Sequence, residues 1–231
     1  MGRQRARSAL LTLVLLLAGV AVSAQQQHVR LFRPEDLGLL EGPDRDAWQR
    51  PDQIMDALRI GDGSHVADLG AGSGWFTIRL ARRVGPNGVV YAEDIQRQMI
   101  EAISRRVTRE NLANVTEVLG EANDPKLPAP VDAVLIVDAY HEMDQPVVLL
   151  RNVARYLKPG GRIGIVDFTR EGGGPGPPMD DRVDPERVIR DADAAGLALE
   201  SREGFLRYQY MLVFVPRPPP TRTPETDRRP R

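Results

Sequence analysis

The sequence predicts a doubly wound α/β fold: a seven-stranded, mainly parallel sheet with an antiparallel C-terminal hairpin. Three observations carry this. Short apolar runs alternate with stretches of helical spacing through the middle of the chain, the pattern of successive βα units. One run, Val131 to Val137, is almost uninterrupted, as a central parallel strand covered on both faces requires. The last two strands, Leu197 to Ser201 and Gln209 to Val215, are joined only by Arg202 to Tyr208, so they form a hairpin at one sheet edge.

The elements follow in order. His65 to Leu69 is an apolar run stopped by glycines and reads as a buried strand. Trp75 to Val84 has helical spacing and ends at the turn Gly85-Pro86-Asn87-Gly88. Val89 to Ala92 is the second strand. Gln98 to Arg109 is a helix with Met99, Ile103 and Val107 on one side. Val115 to Leu119 is the third strand and Val131 to Val137 the fourth. Pro146 to Leu157 is a helix with Pro146 in its first turn, ended by Lys158-Pro159-Gly160-Gly161. Arg162 to Phe168 is the fifth strand. Pro185 to Ala195 is a helix stopped by Gly196.

Composition narrows the function classes. The 231 residues are 42% apolar and 27% charged, a globular balance with enough chain for one ordinary core. A net charge of −1 gives no electrostatic case for nucleic acid. The absence of cysteine excludes disulfides, thiolate zinc sites, iron–sulfur clusters and a cysteine nucleophile. No His/Asp cluster has metal-ligand spacing, so no metal site is expected.

Both ends stand apart from this core. Arg3, Arg5 and Arg7 precede an apolar run from Ala9 to Val22, and Val22-Ser23-Ala24 fits a small-residue cleavage site. This order describes a secretory signal over residues 1–24, cleaved to leave an exported, periplasmic or secreted protein. The run is short for a span, although an uncleaved membrane anchor through residues 9–22 is the alternative. Residues 216–231 hold six Pro and five Arg with no aliphatic or aromatic residue and read as a disordered tail. Between them lie a helical or lid-like segment, 25–64, and the catalytic domain, 65–215.

The chemistry concentrates at Asp68-Leu69-Gly70-Ala71-Gly72-Ser73-Gly74. Three alternate glycines between a strand and a helix allow a tight turn and close approach of a ligand to the backbone. The spacing G-x-G-x-G differs from the G-x-G-x-x-G of dinucleotide enzymes, which disfavours a nicotinamide-dependent oxidoreductase. Asp94, 20 residues beyond Gly74, ends the second strand beside Glu93, where a carboxylate can accept from a ribose diol.

Together with Leu157-Lys158-Pro159-Gly160-Gly161, these residues resemble the class I S-adenosylmethionine-dependent methyltransferases. The likeness is nearest to the methyltransferase-domain group that includes the ubiquinone/menaquinone C-methyltransferases, and it covers roughly Trp48 to Val215. The resemblance implies a Rossmann-like sheet with a reversed last strand and S-adenosyl-L-methionine as cofactor. It implies that Gly70, Gly72 and Gly74 pack against the methionine and ribose portion, and that Asp68 orients the loop and the amino group. Asp94 takes the ribose hydroxyls, with Glu93 as competitor. Glu121 and the Ala122 amide meet the adenine, and Asp138 meets the methionine end.

The acceptor should lie beyond the fourth strand, at Asp138-Ala139-Tyr140-His141-Glu142, on the carboxyl edge where ligands bind. His141 is the expected general base and Tyr140 its companion, with pocket shaping or helix capping as the plainer role for both. Trp48 is either a lid or core filler, and Trp75 packs under the glycine loop. Gly172 to Pro178, with four Gly and three Pro, is a substrate loop or a disordered surface loop. The expected activity is methyl transfer to a small-molecule acceptor, without nucleic acid and without a stable span after signal cleavage. The alternative is a catalytically lapsed protein that binds S-adenosylmethionine or a nucleoside on the same fold.

Overall fold

The computed structural model describes residues 31–171 and 173–218. The segment 1–24, expected as an export signal or anchor, and the tail from residue 219 onward lie outside the described residues. A 3-10 turn, Pro34–Leu40, leads into α1 (Arg45–Gln49) and α2 (Pro51–Ala57). The sheet domain then runs β1 (His65–Leu69), α3 (Trp75–Val84), β2 (Val89–Asp94), α4 (Arg97–Arg109), β3 (Val115–Leu119) and β4 (Val131–Val137). It continues through a short 3-10 turn, Tyr140–Glu142, to α5 (Pro146–Ala154), β5 (Leu157–Phe168), α6 (Pro185–Ala194), β6 (Leu197–Glu203) and β7 (Gln209–Pro216).

One sheet holds all seven strands in the order β3-β2-β1-β4-β5-β7-β6. Strands β1 to β5 pair in parallel, and β7 runs antiparallel to both β5 and β6. The strand order reverses between β1 and β4, so the crevice above those two carboxyl ends is the fold's natural ligand site.

Strand alternation sends side chains to two helical layers. On one face Ile136, Ile163, Ile165, Leu212 and Phe214 bury against Leu150 and Val153 of α5 and Val188 of α6. On the other, Val66, Val90, Leu135, Val166 and Val213 bury against Ile54 of α2 and Phe76, Leu80 and Val84 of α3. Each fully buried aliphatic or aromatic side chain contributes about 1.5–3 kcal/mol, and this double burial explains why β4 reads as a continuous apolar run.

Two local expectations are corrected. Helix α5 ends at Ala154, three residues before the expected end, and Lys158-Pro159-Gly160-Gly161 lies inside β5. Pairing starts at Leu157 opposite Val131 and resumes at Arg162 opposite Ala133, so the four residues form an excursion in the strand. Gly160 carries it at φ +80°, and the Lys158 ammonium anchors it on Asp132 at 2.8 Å. The second correction is small: β7 extends through Pro216, which the sequence assigns to the tail.

The described part of the glycine- and proline-rich segment is built, not loose. The guanidinium of Arg182, itself buried, donates to the carbonyls of Thr169 (2.9 Å), Pro177 (3.0 Å) and Pro175 (3.2 Å). It also lies 5.3 Å from the centre of the Phe168 ring. A Cβ at Gly174 would collide with the Tyr208 ring, and one at Gly176 with the Phe168 ring, so glycine lets this backbone lie flat on two aromatic faces.

Candidate active site

The glycine loop leaves β1 at the switch point. Gly70, Gly72 and Gly74 all hold left-handed backbone angles, φ +68°, +54° and +75°, which explains their alternate spacing. A Cβ at Gly70 would stand 2.6 Å from the Ala139 Cβ, so the gap between the ends of β1 and β4 is one glycine wide. Gly74 caps α3, and its N–H donates to Ala71 at 2.8 Å.

Three carboxyls gather beneath this loop. Asp68 is 2% exposed and accepts from the Thr77 hydroxyl at 2.6 Å; burial pushes its pKa up to about 6. Asp94 accepts the Gly72 N–H at 3.0 Å and the Gln96 N–H at 2.9 Å, and burial raises it despite those bonds. Glu93 turns inward between Gly70 and Gly120, where burial and then the Asp94 charge push its pKa well up. Both carboxylates are thus hydrogen-bonded to the loop, Asp94 to the Gly72 N–H at 3.0 Å and Glu93 to the Gly70 N–H at 3.4 Å.

The other predicted contacts fall around this cleft. Glu121 and Ala122 occupy an exposed turn after β3, where Glu121 exchanges backbone bonds with Asp124 and pairs with Lys126. The Gly120 N–H donates to the Asp94 carbonyl at 3.1 Å, so this turn stands beside the end of β2. Asp138 has φ +56° and a half-buried carboxyl held by Arg45 (3.2 Å), Gln49 (3.1 Å) and Gln209. Burial pushes Asp138 up to about 6 and pulls Arg45 down, so each charge is disfavoured even beside its partner. Such a pair fixes geometry more than it stabilises.

Beyond β4 the two catalytic candidates part company. The Tyr140 ring is 3% exposed within the core, and its hydroxyl lies 2.9 Å from Asp191 of α6. Burial raises its pKa, so the phenol stays neutral and structural. His141 instead faces Asp167, the fully buried penultimate residue of β5. The His141 Nδ1 lies 3.0 and 3.1 Å from the two carboxylate oxygens, and the His141 backbone N–H donates to the same group at 3.1 Å. Burial lowers the His141 pKa, but the Asp167 hydrogen bond and charge, with Glu142 and Asp138, raise it above the ordinary histidine value.

Residues N-terminal to the sheet close over the edge. The Phe32 N–H donates to Glu142 at 2.9 Å, and the Phe32 carbonyl accepts from Gln96 at 3.1 Å, so this strand of backbone bridges the ends of β2 and β4. Leu40 faces Gly72. Trp48 packs 6.1 Å from Phe168 and 6.3 Å from Tyr208, ring centre to ring centre. Trp75 is 5% exposed, with the guanidinium carbons of Arg45 and Arg79 at 4.3 and 3.3 Å from its ring centre.

Sequence reasoning missed Asp167, Arg45, Gln49 and Gln209. A lone acid ending the apolar run Ile163 to Val166 was the available signal for Asp167. Arg45 and Gln49, four apart on α1, carried no signal for a partner some 90 residues away.

The donors and acceptors of this cleft suit S-adenosylmethionine. Three raised carboxyls lack a full positive complement, which a ligand with an ammonium and a sulfonium supplies. The buried Ser73 hydroxyl on the loop has no partner among the described residues.

Comparison with known proteins agrees. Residues 66–161 match a family described as a methyltransferase domain. The chain is 35% identical over 130 residues to a ubiquinone/menaquinone biosynthesis C-methyltransferase (UbiE) of Pasteurella multocida, covering 53% of this chain and 46% of that protein. It is 33% identical over 128 residues to the nocamycin O-methyltransferase of Saccharothrix syringae, covering 54% and 43%. The chain thus spans about half the length of the curated relatives it matches. The crystal structure of an S-adenosylmethionine-dependent methyltransferase from Aquifex aeolicus superimposes with a TM-score of 0.75 at 26% identity, covering 80% of this chain and 98% of that one. Residues 66–161 thus match a methyltransferase domain, and with its reversed seventh strand, its glycine loop and its Asp94 the chain is similar to the class I S-adenosylmethionine-dependent methyltransferases.

Proposed function

We propose that the protein transfers a methyl group from S-adenosylmethionine to a hydroxyl oxygen of a small-molecule acceptor, with His141 as general base. The observation that carries this is the His141–Asp167 pair on the same sheet edge as the glycine loop. When bound, S-adenosylmethionine supplies an already activated methyl group. The protein's share is to hold the acceptor in line and to remove its proton.

The Asp167 contact keeps a proton on His141 Nδ1 and leaves Nε2 to accept the acceptor's proton. Asp167 then balances the charge of the resulting imidazolium. Asp167 is itself fixed, because one oxygen accepts the Phe168 N–H at 2.8 Å and the other the His141 N–H. A carbon acceptor, as in the name of the Pasteurella relative, needs no such base once activated; an oxygen acceptor, as in that of the Saccharothrix relative, does.

The test is mass spectrometry of the protein incubated with S-adenosylmethionine carrying a labelled methyl group and a panel of phenols, alcohols and activated carbon acids. Label on an oxygen is expected. Label on carbon alone overturns the role of His141, and cofactor that binds without any transfer overturns the activity. We further infer that residues 1–24 direct export and are removed. N-terminal sequencing of protein from its host should begin at Gln25; an intact Met1 in the membrane fraction points to the anchor.

A further inference from the structure

A cleft of about 610 Å³ opens where the C-terminal end of α1, the glycine-rich segment after β5 and the β6–β7 loop meet. Trp48, Arg50, Gly174, Phe205, Arg207 and Tyr208 line it. Its size suits a ligand of one or two rings.

Its walls are flat. Trp48 and Tyr208 stand edge to face at 67°, and both are half-buried, so part of each ring faces the cleft. Gly174 lays bare backbone against Tyr208, and Arg182 holds that backbone in place. Phe205 is half-buried as well. Rigid aromatic faces of this kind favour a planar partner.

Its rim is cationic. Arg50 donates to the Phe205 carbonyl at 3.1 Å, and the Arg207 guanidinium lies 5.1 Å from the Tyr208 ring centre. Among the described residues neither guanidinium has a carboxylate in salt-bridge range, and Asp44 is the single acid on the lining. Two positioned guanidinium groups are suited to a carboxylate.

Its aromatic lining is joined through the chain to the site already described. Trp48 and Tyr208 immediately precede Gln49 and Gln209, whose amides hold Asp138. Phe168, packed on Trp48, immediately follows Asp167, the partner of His141.

We propose that this cleft seats the methyl acceptor and that the acceptor is a hydroxylated aromatic carboxylate. The ring lies against Trp48 and Tyr208, the carboxylate meets Arg50 and Arg207, and the hydroxyl points inward, to the side on which Trp48 and Tyr208 lead into the buried Gln49 and Gln209. This rests on the methyl-transfer reading. The hydroxyl oxygen gains the methyl and its proton passes to His141; the electrons of the broken carbon–sulfur bond stay on sulfur, leaving a neutral thioether. The product is an aryl methyl ether.

Calorimetry on the full chain tests it, with 1-hydroxy-2-naphthoate as probe and S-adenosylhomocysteine titrated separately into the same samples. The naphthoate should bind saturably, and Arg207→Gln should weaken it at least tenfold. The same change should leave 1-naphthol, which lacks the carboxylate, and S-adenosylhomocysteine unaffected. Trp48→Ala should weaken both ring probes. No saturable naphthoate binding, or equal affinity in Arg207→Gln, overturns the proposal. Normal S-adenosylhomocysteine binding beside that result leaves methyl transfer standing; loss of it with naphthoate binding intact sinks the methyl-transfer reading and keeps the pocket. Arg207 is exposed on a loop, so its substitution leaves the fold intact.

Discussion

The His141 imidazole and the Asp167 carboxylate meet at 3.0 Å across 26 residues of sequence, one just past β4 and the other at the end of β5. Neighbouring parallel strands bring them together, because Val137 and Val166 are in register. The pair therefore depends on sheet register, not on local sequence.

From this pairing follows a pH dependence. Burial opposes the His141 charge, yet Asp167, Glu142 and Asp138 together raise its pKa. As a base His141 must be neutral, so turnover should rise with pH through a value above 6.5. Asp167→Asn should shift that limb to lower pH while S-adenosylhomocysteine affinity holds. His141→Ala should cut turnover by about 10²–10⁴. Full turnover in His141→Ala removes it from the mechanism. Because the folded pKa is raised, the pair's contribution to stability is complete below the unfolded value and fades as pH rises through the folded one.

Asp94→Ala removes the carboxylate that accepts the Gly72 N–H of the glycine loop. S-adenosylhomocysteine affinity should fall by about 1–3 kcal/mol, the scale of lost charge-assisted bonds. Calorimetry showing no change would falsify the ribose assignment.

The buried carboxyls make an unusual stability profile. Asp68 titrates near 6 in the folded chain, against 3.8 for the free side chain, and Glu93 is also raised. Folding then takes up protons between those values, so stability is greater below about pH 4 for this group and declines toward pH 6. The loss from Asp68 is on the order of 2–3 kcal/mol. Urea unfolding at several pH values should show the decline, and Asp68→Asn should flatten it. An identical slope in the variant places the effect elsewhere.

Arg182→Ala removes three carbonyl partners and a ring contact at once. Stability should drop by about 2 kcal/mol, with new protease cleavage confined to residues 171–178. Cleavage no faster than in the parent chain means the aromatic faces alone hold the segment.

The strands and the glycine loop were legible in the sequence because local rules fix them. Period, turn residues and the left-handed demand on Gly70, Gly72 and Gly74 all operate within a few positions. The Arg45–Asp138–Gln209 network was not, since Arg45 and Gln209 are polar and read alone as surface residues, leaving Asp138 without visible partners. Lys158-Pro159-Gly160-Gly161 misled for the same reason: its residues announce a break, and only pairing with β4 carries a strand through it. Tyr140 looked chemical beside His141, but Asp191 on a distant helix claims its hydroxyl.

Strand β7 occupies an interior slot between β5 and β6, and it is the last strand among the described residues. A ribosome delivers it after every other described strand, so β5 waits with an open edge until residue 216 is available. Pairings of such long sequence separation form late. Through that interval the nascent chain lacks a closed sheet, and the β5 row Ile163 to Val166 has no partner on its open side, an edge open to mispairing.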